Sequence, residues 1–428
     1  MFKYVVDGGF PIKGRIKASG NKNAALPCIC ATLLTAEEVT LQNIPEIEDV
    51  IVLFSILQEL GAEVQRGKKA GEWIVKAATI KNTEVPSSLT KKIRASILLA
   101  GPMVGRCGRL TLPPPGGDVI GRRRLDTHFL ALTALGVQVD IDGVFKLTAN
   151  KLIGKEIFLD EASVTGTENA IMAAVLAEGR TVIENAASEP HVQDLCLMLN
   201  SMGASISGIG SNILTIEGTR ELKGTTFRIS PDFMEIGSFI GLAAVTRGEL
   251  VIEDVMPNHL KMTKLGFAKL GVHWEQLENS IKIGPGQSMK IVSDLGGMIP
   301  KIDDAPWPGF PPDILSIMLT VATQAEGTIL IHEKMFESRM FFVDKLIAMG
   351  AKIVLCDPHR AVVSGPSRLK GGELVSPDVR AGMALVIAAL CAEGQSIIHN
   401  VYQIERGYES IAERLQQLGA RIERVKAT

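Results

Sequence analysis

"LQELGAEV", Leu57 to Val64, closes one helical pattern and opens a strand. The apolar residues Ile47, Val50, Phe54, Leu57 and Leu60 share one face of a helix. Gly61 stands where that helix needs a left-handed residue to stop, and Ala62 to Val64 start the next strand. The same step recurs as "LTALGVQV" at Gly136, "LNSMGASI" at Gly203, "FAKLGVHW" at Gly271, "IAMGAKIV" at Gly350 and "LQQLGARI" at Gly419. The intervals are 75, 67, 68, 79 and 69 residues, the signature of one unit repeated along the chain.

A second, more apolar helix recurs in each unit, starting near Asn23, Arg94, Glu168, Met234, Pro312 and Arg380. Four copies end in related turn-and-strand signals: "AEEVTLQN", "AEGRTVIEN", "AEGTILIHE" and "AEGQSIIHN". A helix apolar on all sides is a buried one. Each unit therefore reads strand, buried helix, strand, amphipathic helix, strand, with further strands between. Six units fit two domains of three, since a domain core typically spans 50–250 residues. One long solenoid is the alternative. The seam falls in "FRISPDFMEIG" near Ser230. The expected division is a domain of residues 22–230 carrying the loop 113–124, and a discontinuous one of residues 1–21 plus 231–428. In the latter the first strand pairs with the last.

Of the 428 residues, 46% are hydrophobic and 21% charged, and the net charge is −2. This excludes a generally basic nucleic-acid binder, so any anion site must come from local clustering. The six cysteines show no CxxC spacing, and Cys28 and Cys30 sit in an apolar run that suits buried thiols. There is no HExxH, G-x-G-x-x-G or Walker lysine motif. No signal-peptide pattern opens the chain, and "GMALVIAALCA" (Gly382 to Ala392) is too short to span a membrane. The expectation is a reduced, cytoplasmic protein without metal, nucleic acid or membrane insertion; nothing in the sequence fixes an oligomeric state.

Charge collects where the buried helices begin. Lys22 lies in "SGNKNAALP", Arg94 in "KKIRASILLAG", Asp313 in "PWPGFPPDILS", and Asp378 and Arg380 in "SPDVRAGMALV". Helix N-termini attract anions, so several aimed at one space make an anion site. Helix capping is the other reading for Asp378 and for Asp232 in "SPDFMEIG". Capping does not explain Lys22 and Arg94, since cations there oppose the helix dipole. The loop "PPPGGDVIGRRR", Pro113 to Arg124, has a stiff proline arm, a Gly116–Gly117 tip, Asp118 and three arginines. It reads as a lid with phosphate-matching donors, or as a solvated surface loop. Arg406 and Gly407 stand where the sixth amphipathic helix should begin, with Glu337 and Arg339 in the equivalent place of the fifth unit. Each arginine reads as an anion ligand or as half of a surface ion pair.

Eight stretches together resemble one family from end to end: "GNKNAALP", "IRASILLAGP", "PGGDVIGRR", "SVTGTENAIMAA", "IENAASEP", "FPPD", "FESRM" and "IERGYE". The chain is similar to the UDP-N-acetylglucosamine enolpyruvyl transferases (1-carboxyvinyltransferases). The resemblance implies an α/β (α+β) fold, an inside-out α/β barrel of two similar domains. Each has three βαβαββ units, and they close on substrate between them. It implies transfer of the enolpyruvyl group of phosphoenolpyruvate to the sugar 3′-hydroxyl, the committed step of peptidoglycan synthesis, without a cofactor.

Carried over by position, Lys22, Asn23, Arg123, Arg380 and Arg406 would hold phosphoenolpyruvate. Asn23, Arg94, Arg123, Arg124, Leu125, Asp126, Thr127, Ser163, Val164, Asp313 and Met335 would hold the sugar nucleotide. Asp118 would be the acid and Asp313 the base near the 3′-hydroxyl; Lys22, Asp378 and Arg406 would complete the reacting centre. The chain departs from the family pattern in three places. Asp118 replaces the usual loop cysteine, Glu161 replaces a lysine, and "RRRLDTH" lacks a common proline. Two other readings are a shikimate-branch enolpyruvyl transferase and a catalytically silent sensor of UDP-N-acetylglucosamine.

Overall fold

The computed structural model describes residues 2–117 and 124–426. They form two compact units, one of residues 20–117 and 124–230, the other of residues 2–19 and 231–426. Each has its own apolar core.

The six glycine steps all end helices in left-handed backbone: φ is 107° at Gly61, 106° at Gly136, 102° at Gly203, 71° at Gly271, 104° at Gly350 and 86° at Gly419. A side chain is strained in that conformation, which is why the mark survives in every copy.

The buried helices are α1 (Lys22–Ala31), α2 (Ala100–Cys107), α3 (Val164–Ala174), α4 (Phe233–Val245), α5 (Pro312–Ala322) and α6 (Val379–Cys391). Every residue of α4 is buried, and every residue of α6 except Cys391. In the second unit α4, α5 and α6 pack against one another; in the first, α2 packs on α3. The sheets wrap these helices. Among the described residues there are six, five of four strands and one of three. Strands such as Arg180–Glu184 alternate exposed and buried positions, as sheets with one covered face must. The helices thus lie inside and the sheets outside.

Chain ends and sheet edges define the second unit. Strand Phe2–Asp7 pairs antiparallel with Arg421–Lys426 and with Gln395–His399. Strand Lys13–Lys17 pairs parallel with Glu249–Glu253. In the first unit, Thr226–Arg228 pairs parallel with Glu38–Gln42.

One buried helix starts differently from the pattern. Residues Arg94–Leu99 form a 3-10 turn, and regular helix begins only at Ala100. Pro102 has no N–H for the carbonyl of Leu98, so the ladder is broken there and the chain tightens. Asn169 repairs the break: its Oδ1 accepts from Gly101 N at 2.7 Å and its Nδ2 donates to Ile97 O at 2.9 Å.

Candidate active site

In the first unit, Asn21 caps α1, its Oδ1 accepting from the N–H groups of Asn23 at 2.8 Å and Ala24 at 3.2 Å. This cap places Lys22 and Asn23 in the first turn. Lys22 Nζ lies 2.6 Å from Asp49 Oδ2, both side chains largely buried. A cation is tolerated against the helix dipole because a carboxylate from the next helix, Glu48–Leu60, answers it.

The loop arm carrying Gly116 and Gly117 runs against residues 90–94. Gly116 N donates to Thr90 O at 2.9 Å. A Cβ on Gly116 would stand 1.8 Å from Lys91 O, and one on Gly117 2.8 Å from Arg94 Cβ. Only glycine permits that approach. Asp118, Arg122 and Arg123 lie outside the described residues. Past them, Arg94 Nη2 donates to Arg124 O at 3.4 Å, and Arg124 Nε to Asp126 Oδ2 at 2.9 Å. Leu125 precedes helix Asp126–Ala134, and Thr127 Oγ1 donates to Asp160 Oδ1 at 2.7 Å. Ser163 caps α3, accepting from Gly166 N at 3.3 Å, and Val164 opens that helix. The structure therefore gathers Arg94, Arg124–Thr127 and Ser163–Val164 around the starts of neighbouring helices. Glu161 O accepts from Ser163 N at 2.7 Å.

His128, which the sequence did not single out, ties this group together. Asn169 Nδ2 donates to its Nδ1 at 2.8 Å, so the proton sits on Nε2 and is donated to Thr165 Oγ1 at 3.0 Å. Burial first, and the charge of Arg94 second, lower its pKa to about 3. The unfolded chain then takes up this proton more readily, so His128 costs stability as pH falls from about 6.5 toward its folded value. His128→Asn should flatten the acid limb of a Tm–pH profile between about pH 7 and pH 4. Equal acid slopes in both proteins would contradict the assignment.

In the second unit a denser cluster surrounds Asp313, in the first turn of α5. Arg339 Nη2 donates to Asp313 Oδ1 at 2.6 Å and Arg380 Nε to Asp313 Oδ2 at 3.1 Å. Arg380 also lies 3.9 Å from Asp232 Oδ2, with its guanidinium 5.2 Å from the Tyr408 ring centre. Burial pushes the Asp313 pKa up, but the two arginines prevail and hold it well below the ordinary carboxylate range. Asp313 keeps 18% side-chain exposure, so one side remains open to a ligand.

Asp378 caps α6, accepting from Arg380 N at 2.8 Å and Ala381 N at 3.0 Å. Asp232 caps α4 in the same way. Capping, one of the two readings of these aspartates, is what they do, and the Asp378 cap sets the direction of Arg380. Arg339 is not half of a surface ion pair: it is largely buried and its partner is Asp313. Arg406 does not begin the sixth amphipathic helix. It ends the short helix Tyr402–Glu405, with Nη1 donating to Gln403 Oε1 at 2.9 Å; the amphipathic helix starts at Ile411. The Tyr402–Glu405 turn ends there, and Ser410, in left-handed backbone, separates it from the helix. Met335 is 38% exposed, and its N–H donates to Asp304 Oδ2 at 3.2 Å.

Among the described residues no group of three or more His, Cys, Asp or Glu is arranged to hold a metal. None of the described helices is long and apolar enough to cross a membrane.

The profile of the EPSP synthase (3-phosphoshikimate 1-carboxyvinyltransferase) family matches residues 6–415. A UDP-N-acetylglucosamine 1-carboxyvinyltransferase of Treponema denticola is 64% identical over 423 residues, 99% of each chain. That of Treponema pallidum is 63% identical over 419 residues, 98% of each. Among solved structures, the enolpyruvyl transferase NikO from Streptomyces tendae is similar with a TM-score of 0.89 at 23% identity. The match covers 100% of this chain and 99% of that one, which speaks for the fold. With these relatives at this identity over its whole length, the chain belongs to the UDP-N-acetylglucosamine 1-carboxyvinyltransferase family of enolpyruvyl transferases.

Proposed function

We propose that this protein transfers the enolpyruvyl group of phosphoenolpyruvate to the 3′-hydroxyl of UDP-N-acetylglucosamine and releases phosphate. The observation that carries the reading is the full-length identity of 64% to a transferase named for that sugar nucleotide. The step would commit the sugar to peptidoglycan in the cytoplasm, and so bear on cell shape and division.

The reaction is addition followed by elimination. A proton goes to C3 of the enol, C2 becomes electron-poor, and the sugar oxygen attacks it. C3 then loses a proton, the double bond re-forms and phosphate leaves with the electrons of its C2–O bond. The chemistry needs an acid, a base and a phosphate clamp, and the protein's own side chains supply all three. Lys22, Asn23, Arg123, Arg380 and Arg406 bind phosphoenolpyruvate. Asn23, Arg94, Arg123, Arg124, Leu125, Asp126, Thr127, Ser163, Val164, Asp313 and Met335 bind the sugar nucleotide. Asp118 delivers the proton to C3, and Asp313 takes the proton of the 3′-hydroxyl. Asp378 acts through the Arg380 it positions.

Gripped by two guanidinium groups, Asp313 is a weak base. An anionic substrate that competes for Arg380 loosens one grip and raises its basicity, so the base strengthens when substrate is present. Lys22 works by the same logic, trading Asp49 for the phosphate of phosphoenolpyruvate. Lys22→Ala should lower kcat/KM for phosphoenolpyruvate by about 10²–10³, the cost of removing one preorganised donor. The sugar nucleotide should still bind. An unchanged kcat/KM would remove Lys22 from the clamp.

The family profile carries the name of the shikimate branch, so the acceptor decides. Phosphate release from phosphoenolpyruvate is expected with UDP-N-acetylglucosamine and not with shikimate 3-phosphate. The reverse preference would replace this reading. Binding of the sugar nucleotide without phosphate release would make the protein a sensor.

A further inference from the structure

Two buried acids lie beside the Asp313 cluster and have no part in the chemistry above. Strands Lys301–Asp303 and Gly327–His332 run parallel, with Asp303 beside His332. The next residue of each is an acid, Asp304 and Glu333, exposed by 0% and 1%. Both oxygens of Asp304 already accept backbone N–H groups, from Lys334 and from Met335. Asp304 thus already serves as an acceptor at both of its oxygens. The Glu333 backbone is itself pinned: its N–H donates to His359 O at 2.8 Å, and His359 Nδ1 lies 2.7 Å from its carbonyl oxygen. From this anchor the chain runs to Met335 and then to Arg339, the residue that grips Asp313.

Two further atoms define the device. Glu333 Oε1 and Arg339 Nε are both buried without a hydrogen-bond partner. Their side chains interact electrostatically.

We propose that Glu333 is a positioning residue for Asp313: as a neutral carboxylic acid it donates to Asp304 and leaves Arg339, whose Nη1 donates to Pro312 O, to hold Asp313 with Nη2. The proposal rests on Asp313 being the base of the proposed reaction. Burial chiefly, then the hydrogen bond and charge of Asp304 and the charge of Asp313, push the Glu333 pKa up to about 9, against the pull of Arg339. Of the other charged groups, the Lys334 ammonium is taken by Asp303 at 2.8 Å, and Asp378 adds a further negative charge acting on Arg339. When Glu333 ionises, its carboxylate becomes a further anion acting on Arg339, whose Nε has no hydrogen-bond partner. Arg339 is then divided between two carboxylates, and Asp313 leaves the geometry that serves the 3′-hydroxyl.

Glu333→Gln tests this, because glutamine keeps a donor for Asp304 and never ionises. The wild-type kcat should fall on the alkaline side with a midpoint near the Glu333 value of about 9. In Glu333→Gln, kcat near neutrality should stay within about threefold of wild type, while that alkaline fall is lost or moves up by at least about one pH unit. The same alkaline limb in both proteins overturns the positioning role, since a merely structural residue would not move it.

A second readout needs no turnover. With its folded pKa raised, wild-type Glu333 costs increasing stability as pH rises through the window between the ordinary glutamate value and about 9. The Tm of Glu333→Gln relative to wild type should therefore climb across that window and level off above it. A Tm difference independent of pH overturns the neutral acid. If the protein turned over neither acceptor, the proposed function would fail while this Tm difference still judged the Glu333–Asp304 pair.

Discussion

Asp313→Asn should lower kcat by about 10³, within the range that general-base catalysis supplies. The amide fills the same volume but cannot take the proton of the sugar hydroxyl. Binding of UDP-N-acetylglucosamine should survive, so the loss should fall on kcat and kcat/KM together, as for an interaction made in the transition state. The substitution also has a structural consequence. It removes the carboxylate between Arg339 and Arg380, and breaking a largely buried pair in this way costs about 3–5 kcal/mol. The pH dependence separates this effect from that of Glu333. The Asp313 pKa is depressed, so its stabilisation is complete above the ordinary aspartate value of about 3.9 and is lost only as pH falls through the lower folded value. The Tm gap between wild type and Asp313→Asn should close in strong acid, and should also narrow toward alkali, because loss of the Asp313 charge eases the ionisation of Glu333. Near-wild-type kcat in a folded Asp313→Asn would remove Asp313 from the chemistry.

The second large effect concerns the loop acid. The family resemblance implies a cysteine in most members at the position of Asp118, and alkylation of that thiolate by epoxide antibiotics of the fosfomycin type. A carboxylate is a far poorer nucleophile than a thiolate. The wild-type protein should therefore keep full activity after prolonged incubation with the epoxide and phosphoenolpyruvate's partner sugar. Asp118→Cys should become irreversibly inactivated, with the epoxide attached to the new cysteine by mass spectrometry. Covalent inactivation of the wild type at a rate equal to the cysteine variant would contradict the assignment of Asp118 as the loop acid.

The fold was legible because its defining feature is local. A helix that must stop and turn needs a left-handed residue, and six glycines record that need one after another. The caps at Asp232 and Asp378 were legible for the same reason, since each accepts from N–H groups two or three residues away; the third buried helix starts at Val164, four residues before the expected Glu168. What was hidden depends on distance along the chain. Nothing near Lys22 announces Asp49, and nothing near Asp313 announces that Arg339 and Arg380 will meet on it. Arg339 read as an anion ligand; it is one, but the anion is a carboxylate of the same protein. Glu333 and Asp304 each follow the last residue of a strand and belong to no motif, and burial at such a position is decided by what packs over it. His128 carried no pattern, since its importance lies in bonds to Thr165 and Asn169 on another helix. The irregular start at Arg94 had a local cause in Pro102.

The most direct test of the whole account is to run the reaction in heavy water with phosphoenolpyruvate and UDP-N-acetylglucosamine and weigh the sugar-nucleotide product. Addition of a solvent-derived proton to C3, followed by its partial loss, predicts an enolpyruvyl ether carrying deuterium on its vinyl carbon, formed in step with phosphate. An ether without deuterium, or phosphate released with no ether formed, would contradict it.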